Sequence, residues 1–400
     1  MSAHARLGPS SASRWLACPA SVNLSAPFEN KSNAAAEEGT IAHEAVEHCI
    51  RAWLDGAPFT KNSEWDDDMI AGAEMALEHV KAITEQHKDV AVYLEERVDL
   101  HYYTGRKDLW GTADIIIEAD TSLYVIDYKY GSGIYVAAKD NSQLKIYSLG
   151  AMAPSAEDNR GAHNFQDVIT TIIQPRNGGL EDEPIRTYTY QASELEEWAS
   201  DVLAPAAKST DGGSVPIAGE SQCRWCQAKS TCAAAAQLVL DKCSVFEPVN
   251  TVGDLDLLAN ADTDDLDVDQ LVAIVAAGPF ITGWLKAVND RVRKMLEDRE
   301  DVPGLKLVRG RRMNKWSLPD DEILDQLSKG KGHIPKKDLQ QMKLITAPAM
   351  LKNKALKPAQ KKRMQEYIKK SEGTLSIASE SDERPNAMTP IVFEKQYDFL

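Results

Sequence analysis

The 400-residue sequence lacks several features, and each absence excludes a class of protein. It has no uninterrupted run of about 18 apolar residues, the length that a membrane-spanning helix requires, so we expect no transmembrane segment. Its N-terminus has no basic segment followed by an apolar one, so we expect no secretory signal. No internal repeat is visible, which excludes a repeat architecture. Together these absences favour a cytoplasmic protein that does not bind a membrane.

Cysteine is scarce and unevenly placed. The chain has six cysteines, and three of them, Cys223, Cys226 and Cys232, lie within ten residues of one another. In a chain without an export signal, such clustering favours metal ligation over disulfide bonds.

The sequence also has little positive charge for a partner of nucleic acid, since its net charge is −16. That charge is uneven, because residues 301–372 carry 18 Lys and Arg against 8 Asp and Glu, whereas residues 254–269 contain seven aspartates. Both tracts are consistent with solvated surface. A basic segment beside an acidic body is equally able to follow phosphates, because the local field matters more than the total charge.

Apolar periodicity predicts a mixed α/β core with helices on both sides of a sheet. The spacing predicts helices over 34–53, 67–86, 140–152 and 193–206, and strands over 91–100, 109–118, 123–130, 168–174 and 185–190. From about residue 250 the sequence becomes helical in character, first Asp-rich and then Lys-rich, and a short extended stretch over 304–312 interrupts it. We therefore predict a catalytic-type domain over 1–245, a partly basic helical region over 246–372 and a flexible tail over 373–400.

Two acidic strand ends carry the strongest chemical pattern. Gly111-Thr-Ala-Asp114 ends one predicted strand, and the next carries Asp127-Tyr128-Lys129. Side chains at positions i and i+2 of a strand point to the same face, so Asp127 and Lys129 share one face. Two carboxylates and an ammonium at a sheet edge suit phosphodiester hydrolysis, because the acids hold a hard divalent cation and the lysine orients water or offsets phosphate charge.

Two helices add polar residues to this pattern. Gly39-x-x-x-His43 lies on the first long helix, and Gln143 and Tyr147 stand at positions i and i+4 on one face of a later helix. A lone histidine on a helix is most often structural or exposed. As a neutral imidazole, however, His43 is also a suitable third ligand for the cation.

In this order, the four elements resemble the signature of the RecB-type branch of the PD-(D/E)XK nuclease superfamily. That signature is Gly-x-x-x-His, a Gly-x-x-Asp strand, Asp/Glu-x-Lys and Gln-x-x-x-Tyr, and the likeness covers roughly residues 10–235. It implies a restriction-endonuclease-like core, in which a central mixed sheet is flanked by helices. The mainly helical C-terminal region lies beyond that core.

The resemblance implies a role for each matched residue. A site for Mg²⁺ or Mn²⁺ would be made by His43, Asp114, Asp127 and the carbonyl of Tyr128. Lys129 would position the attacking water, and Gln143 and Tyr147 would steady the lysine, the metal-bound water or the scissile strand. Glu95 or Glu96 on the preceding strand would assist, but the sequence does not tell which of them faces inward.

The cysteine cluster predicts a second site. Three thiolates from one loop and a fourth from the N-terminal segment make a tetrahedral set, formed by Cys18, Cys223, Cys226 and Cys232. Zinc suits four thiolates as well as an iron–sulfur cluster does. The arrangement resembles the iron–sulfur nucleases of this branch, which include AddB-like helicase-nucleases and CRISPR-associated exonucleases, and it implies a structural [4Fe–4S] cluster. Trp15 and Trp225 either shield this cluster or stack on bases, and we favour shielding.

The resemblance implies a metal-dependent deoxyribonuclease, specifically an exonuclease acting on single-stranded or double-stranded DNA ends. The overall arrangement also resembles an uncharacterised nuclease family of phages and prophages. We therefore expect a role in phage or bacterial DNA recombination or processing, in the cytoplasm of a bacterial host, with a phage recombination or single-strand-binding protein as a further partner. The alternatives are a structure-specific endonuclease or nickase and a catalytically silent, zinc-stapled DNA-binding protein.

Overall fold

The computed structural model describes residues 5–28, 34–131, 134–154, 165–176, 183–243, 268–310, 314–330, 332–339, 345–347, 350, 353, 356–370, 375–379 and 386–387. Contacts between Cα atoms divide the chain into two units, Met1–Trp284 and Leu285–Leu400. The boundary that the sequence predicts at residues 245–246 lies outside the described residues.

A five-stranded sheet forms the centre of the first unit. Its strands follow the chain in the order β1 to β5: Val90–Asp99, Trp110–Ala119, Ser122–Tyr128, Asp167–Ile173 and Ile185–Gln191. Neighbouring strands are antiparallel except for β3 and β4, which are parallel. The sheet is therefore mixed and mostly antiparallel, and the sequence-based prediction of a mixed α/β core flanked by helices is confirmed at this level.

The central strands form because their apolar residues are buried on both faces of the sheet. In β2, the run Ile115–Ile116–Ile117 is buried, and its residues divide between two hydrophobic clusters. Val125 and Ile126 of β3 divide in the same way. A strand that is covered on both faces appears in the sequence as a continuous apolar run, not as an alternating one.

Ten α-helices of the first unit lie within the described residues up to Cys243. They are α1 to α10: Ala12–Ala17, Ala20–Ser25, Ala34–Leu54, Asp67–Thr84, His101–Thr104, Ser142–Met152, Ala192–Trp198, Ala204–Ser209, Glu220–Arg224 and Ala233–Cys243. A π-helical turn, Ala199–Leu203, joins α7 to α8. The predicted helices over 34–53, 67–86, 140–152 and 193–206 correspond to α3, α4, α6 and the continuous α7–α8 segment.

The helices cover the two faces of the sheet. Helices α3 and α4 pack in one cluster with residues such as Ile117 and Tyr128, while α1, α6 and α7 pack in the other with residues such as Ile116 and Val125. Burying apolar residues on both faces of the sheet holds the strand ends between α3 on one side and α6 on the other.

The second unit contains short strands, of which the sequence predicts only an extended stretch over 304–312. A long helix, α11 (Val268–Glu297), leads into it, and α12 (Asp320–Ser328), α13 (Lys336–Leu339) and α14 (Pro358–Gln365) follow. Strand β6 (Leu305–Arg309) pairs with β9 (Leu375–Ser379), and β7 (Asn314–Trp316) pairs with β8 (Ile368–Lys370). Residues 375–379 thus belong to a sheet and not to the flexible tail expected over 373–400.

One helix bears on the expectation that no segment spans a membrane. The segment Leu271–Glu297 of α11 has a window of mean hydropathy 1.7, of which 6% is buried, so its length and composition are sufficient for a bilayer span. Lys286 ends the apolar run that begins at Leu271, so the sequence has no uninterrupted apolar run long enough to predict this span. Length and composition alone are weak grounds for a span, and the absence of membrane binding stays a prediction.

Candidate functional site

The candidate site lies where β2 and β3 separate. Their antiparallel pairing runs from Ala119 opposite Ser122 to Ile115 opposite Ile126, and it stops there. Beyond that point β3 continues to pair with β4. The backbone N–H of Tyr128 instead donates to Oδ2 of Asp114 at 2.7 Å. The Asp114 carboxylate therefore replaces a strand partner, and Asp114 and Asp127 flank the point of separation.

Asp127 belongs to a hydrogen-bond network that contains four of the predicted site residues. Nζ of Lys129 donates to Oδ1 of Asp127 and to Oε1 of Gln143, each at 3.1 Å. Nε2 of Gln143 donates to the same Asp127 oxygen at 2.9 Å and to the hydroxyl of Tyr147 at 3.1 Å. Asn141 caps the N-terminus of α6, whose first turn therefore places Gln143 beside the lysine.

A second group of ligand atoms contains the histidine. Nδ1 of His43 lies 3.4 Å from Oδ1 of Asp114. One ligand atom each from His43, Glu95 and Asp114 lies within 4.8 Å of the other two, a spacing that is suitable for a metal ion. The structure therefore assigns Glu95, and not Glu96, to this group. Asp127 stands outside it, in contact with Lys129.

Glu95 has an unusual backbone. Its φ angle is 51°, in the left-handed region that a non-glycine residue seldom adopts. The pairing of β1 with β2 skips this residue, between Leu94 opposite Ile115 and Glu96 opposite Ala113. The distortion lies across from Asp114, and backbone strain of this kind is found preferentially at functional sites.

The charges of these groups are strongly coupled. Burial disfavours the charged form of His43, but Asp114 outweighs it and raises the pKa of the imidazole. Burial likewise opposes ionisation of Asp114, yet His43, Lys129 and the Tyr128 amide lower the pKa of its carboxyl. For Asp127, burial and the Asp114 charge outweigh Lys129 and raise the pKa to about 6.

Two further groups respond to the same charges. Burial opposes the ammonium of Lys129, but Asp127 and Asp114 raise its pKa, so the side chain stays charged at neutral pH. Partial burial and the Asp114 carboxylate raise the pKa of Glu95, although its side chain keeps solvent access. The carboxyl of Asp114 thus ionises readily, whereas those of Asp127 and Glu95 have raised pKa values and hold their protons more tightly.

Both oxygens of the buried Asp127 carboxylate face Lys129. Asp127 is 1% exposed, and its Oδ2, which accepts no hydrogen bond, lies 2.9 Å from Nζ of Lys129. The ammonium compensates the charge of this carboxylate, and Oδ2 keeps lone pairs for a further cation or a water. Carboxylate oxygens with one imidazole match the ligands of Mg²⁺ and Mn²⁺, so the residues fit such an ion. Coordination by the Tyr128 carbonyl stays a prediction.

Gly111, the glycine of the predicted strand motif, is required by packing beside this site. A Cβ atom at this position would lie 2.7 Å from Cγ of Pro9 and 2.8 Å from Cε1 of Tyr147. Gly39, the glycine of the helix motif, is different, because a Cβ atom there would meet nothing within 4 Å. Packing therefore requires a glycine at position 111, whereas the space around position 39 would also accept a side chain.

We expect Gly111→Ala to destabilise the protein by about 1–3 kcal/mol, because the new methyl group overpacks a filled contact. Gly39→Ala is the matched control, and it should leave stability unchanged or raise it by up to about 1 kcal/mol, since alanine is the better helix former. Thermal unfolding measured by circular dichroism gives both values. Equal midpoints for Gly111→Ala and wild type would contradict the packing argument.

The four predicted cysteine ligands lie together. Cys18, Cys223, Cys226 and Cys232 line one small cavity between the N-terminal helices and the loop around α9. The amide of Ile217 donates to Sγ of Cys18 at 3.3 Å, and the amide of Gly219 donates to Sγ of Cys223 at 3.5 Å. Burial and the neighbouring thiols raise the pKa of Cys223. The remaining cysteines, Cys49 and Cys243, do not line this cavity.

The two tryptophans near the cysteines differ. Trp15 is fully buried in the hydrophobic cluster of α1 and α6, and its Nε1 donates to the carbonyl of Gly8 at 3.2 Å. Trp225 is 69% exposed. The favoured role of shielding therefore does not suit Trp225, because a ring that covers the cysteines would itself lose most of its exposed surface.

Two comparisons place the chain among known proteins. Among solved structures, it is similar to the crystal structure of SSO0001, with 15% sequence identity over 54% of this chain and 94% of that chain. The TM-score is 0.21, which is too low to establish a shared fold. The profile of the family described as "Protein of unknown function (DUF2800)" matches residues 4–385. Because this match covers nearly the whole sequence, the chain belongs to the DUF2800 family.

Proposed function

We propose that this protein is a metal-dependent nuclease with a RecB-type PD-(D/E)XK core, which hydrolyses phosphodiester bonds in DNA. One observation carries the proposal. Asp114 and Asp127 flank the separation of β2 and β3, with His43 beside the first and Lys129 bonded to the second. A set of acids, an imidazole and an ammonium at one sheet edge suits this reaction better than it suits structural support, because burying so many charges is costly.

The residues divide into a group that holds the cation and a group that handles the phosphate. His43, Glu95 and Asp114 would hold Mg²⁺ or Mn²⁺, which supplies Lewis-acid polarisation and an acidified water when bound. The resemblance adds the neighbouring Asp127 carboxylate as a further ligand. Lys129 keeps its proton at neutral pH and stabilises negative charge that develops on the phosphate. Gln143 accepts from Lys129 and donates to Asp127, so it fixes the direction in which the ammonium points.

DNA as substrate and exonuclease action from ends follow from the resemblance of the motifs. A role in phage or bacterial DNA recombination follows from the same source. The runner-up is a structure-specific endonuclease or nickase, which would use the same residues. These two activities differ in the substrate they accept, because an exonuclease needs a strand end and a nickase does not.

We also propose that the cysteines hold a [4Fe–4S] cluster. Cys18, Cys223, Cys226 and Cys232 line one cavity, so four thiolates are available to a single site. The resemblance to the iron–sulfur nucleases favours the cluster, and zinc is the alternative, because four thiolates suit it as well.

The nuclease proposal is tested with labelled linear single-stranded, linear double-stranded and closed circular DNA, incubated with Mg²⁺ or Mn²⁺. We expect cation-dependent loss of the linear substrates and survival of the circle. Asp114→Asn should lower the rate by at least about 100-fold, since it removes the charge that faces His43 and the cation. Equal rates for wild type and Asp114→Asn would show that the cleavage comes from a contaminant. Cleavage of the circle would favour the endonuclease.

A second prediction concerns pH and does not require activity. In the cation-free protein the pKa of Glu95 is raised to about 7 and that of Asp127 to about 6, so both carboxyls are more fully ionised at pH 8 than at pH 6. The pKa of His43 is also raised, which acts in the same direction. A cation binds the deprotonated forms. We therefore expect Mn²⁺ to raise the unfolding midpoint more at pH 8 than at pH 6, because binding to the native state stabilises it.

Two variants sharpen this measurement. Glu95→Gln should reduce the Mn²⁺-induced rise at pH 8, because it removes one ligand. Glu78→Gln serves as the matched control, since Glu78 is exposed on α4 and pairs with Lys81. If the rise were the same at both pH values, or equally large in Glu95→Gln and wild type, the assigned ligand group would be wrong.

A further inference from the structure

A cleft of about 600 Å³ lies beside the candidate site and takes no part in the proposed chemistry. Its walls come from the N-terminal segment, the start of β2 and the cysteine loop, and they include Ser10, Ser13, Arg14, Tyr147 and Trp225. The volume is within the range of about 300–1,000 Å³ that is common for small-ligand pockets.

One end of the cleft is continuous with the candidate site. Gly111 and Thr112 line it, and Thr112 stands two positions before Asp114 on β2. Tyr147 also lines it, and the Tyr147 hydroxyl accepts from Gln143, which binds both Asp127 and Lys129. A molecule that fills the cleft therefore lies against Tyr147, which is bonded to the glutamine that accepts from Lys129.

The positively charged side chain of Arg14 lines this cleft. Its Nε is buried and has no hydrogen-bond partner, and within the described residues its guanidinium makes no ion pair. The nearby arginines differ, because Arg6 and Arg106 both bind the carboxylate of Asp108. A guanidinium without a carboxylate partner attracts an anion, and phosphate oxygens match its planar set of donors. The serine hydroxyls of the cleft add further donors to such a group.

Trp225 brings an exposed aromatic ring to the same cleft. It lies between two candidate cysteine ligands and is 69% exposed, with the guanidinium carbon of Arg224 5.7 Å from the ring centroid. Trp110 is already covered, since Arg97 stacks at 4.1 Å from its centroid. A large exposed aromatic side chain and an arginine without an ion pair in one cleft make the combination with which proteins hold an unpaired nucleic-acid strand.

We propose that this cleft binds one single strand of the nucleic-acid substrate, with a phosphate on Arg14 and a base stacked on Trp225. The inference rests on the proposed nuclease function, and it adds the path of the strand next to the reacting groups. A base within a duplex is already stacked on both faces, so a ring such as Trp225 selects a base that is unpaired.

The test measures binding without cleavage. A fluorescently labelled oligothymidylate is titrated with the full chain in EDTA, and its anisotropy gives the dissociation constant at several salt concentrations. Arg14→Gln should weaken binding and reduce the slope of log K against log salt by about 0.7, the value for one phosphate contact on a single strand. Trp225→Ala should weaken binding at least about fivefold, or ~1 kcal/mol, with the slope unchanged.

Matched variants control for general effects. Arg51→Gln removes a charge that is exposed on α3 and paired with Glu47, and Tyr102→Ala removes a ring that is 64% exposed on α5. Neither should change affinity or slope. Trp225→Phe keeps a stacking face and should recover most of the affinity lost in Trp225→Ala. Arg14→Gln lies outside the cysteine loop, so it tests the cleft even if Trp225→Ala loses metal.

The outcomes separate this inference from the nuclease proposal. If wild type cleaves DNA but both variants bind like wild type, the cleft is not the strand path, whereas the nuclease proposal stands. If the binding signatures appear without cation-dependent cleavage, the cleft is a strand-binding site and the nuclease proposal fails. An equal loss of affinity for duplex DNA would overturn single-strand selection, and absence of any binding by wild type would overturn the inference entirely.

Discussion

Replacing Lys129 with alanine is expected to lower the rate of phosphodiester hydrolysis by about 100- to 1,000-fold, the usual effect of removing one preorganised group that stabilises transition-state charge. Nζ of Lys129 is held by Asp127 and Gln143, and those two groups are also bonded to each other. The ammonium therefore has a fixed position before substrate arrives, and it needs no reorganisation during the reaction. Single-turnover kinetics with linear DNA and Mg²⁺ measure the change.

The same substitution should change the pH profile. Lys129 lowers the pKa of Asp127, while burial and Asp114 raise it. Without the ammonium, the pKa of Asp127 rises further, so the ionised form of that carboxylate is reached at higher pH. We expect the residual activity of Lys129→Ala to begin at higher pH than that of wild type. A variant that is merely misfolded would lose rate without moving the profile.

Two comparisons complete this experiment. Lys129→Arg keeps the charge but not the geometry, so it should be intermediate in rate and should keep the wild-type pH profile. Lys81→Ala is the control, because Lys81 has similar exposure and pairs with Glu78 on α4, away from the site. Wild-type activity in Lys129→Ala, or an equal loss in Lys81→Ala, would remove Lys129 from the proposed mechanism.

Much of the site was accessible from the sequence because it depends on strand and helix periods. Asp127 and Lys129 stand two residues apart on β3, and Gln143 and Tyr147 stand four apart on α6. These spacings fix a shared face whatever the surroundings are, and the structure places the four side chains in one network. The elements themselves were predictable for a similar reason, since long apolar periods decide them.

Glu95 was not decidable from the sequence. Alternation along β1 allows Glu95 or Glu96 to face the site, and the choice depends on a local distortion with φ of 51°. Backbone distortions of this kind leave no periodic signal. The role of Asp114 in accepting the Tyr128 N–H was hidden too, because it requires knowing where the pairing of β2 and β3 ends.

Strand β6 lies within the extended stretch predicted over 304–312, but β7, β8 and β9 were missed for a different reason. Segments of three to five residues, such as Asn314–Trp316 and Ile368–Lys370, are too short to show the alternation of apolar and polar residues that predicts a strand. Their lysines indicate exposed surface instead. Only pairing with a distant segment makes them strands. Trp225 illustrates a similar limit, because burial of an aromatic residue depends on what packs over it.

Replacing Cys232 with serine is expected to remove the metal from the cysteine site and to lower the unfolding midpoint strongly. The four cysteines line one cavity between the helices near Cys18 and the loop that follows the sheet, so the proposed metal would close a loop containing most of the first unit. In the chain-entropy picture, cross-linking a loop longer than about 100 residues contributes about 5 kcal/mol. At about 2–4 °C per kcal/mol for a unit of this size, the midpoint should fall on the order of 10 °C.

Cys243→Ser is the matched control, because Cys243 is half-buried like Cys232 but does not line the cavity. It should keep the metal and nearly all of the stability. Protein purified without oxygen should contain iron and acid-labile sulfide and absorb broadly near 400 nm, about four irons per chain being the [4Fe–4S] value. Stoichiometric zinc without iron would show that the cysteines hold zinc and not an iron–sulfur cluster. That outcome would leave the nuclease proposal intact. If Cys232→Ser and Cys243→Ser kept equal metal content and equal midpoints, the four cysteines would not form a metal site, because a ligand cannot be removed from such a site without weakening it.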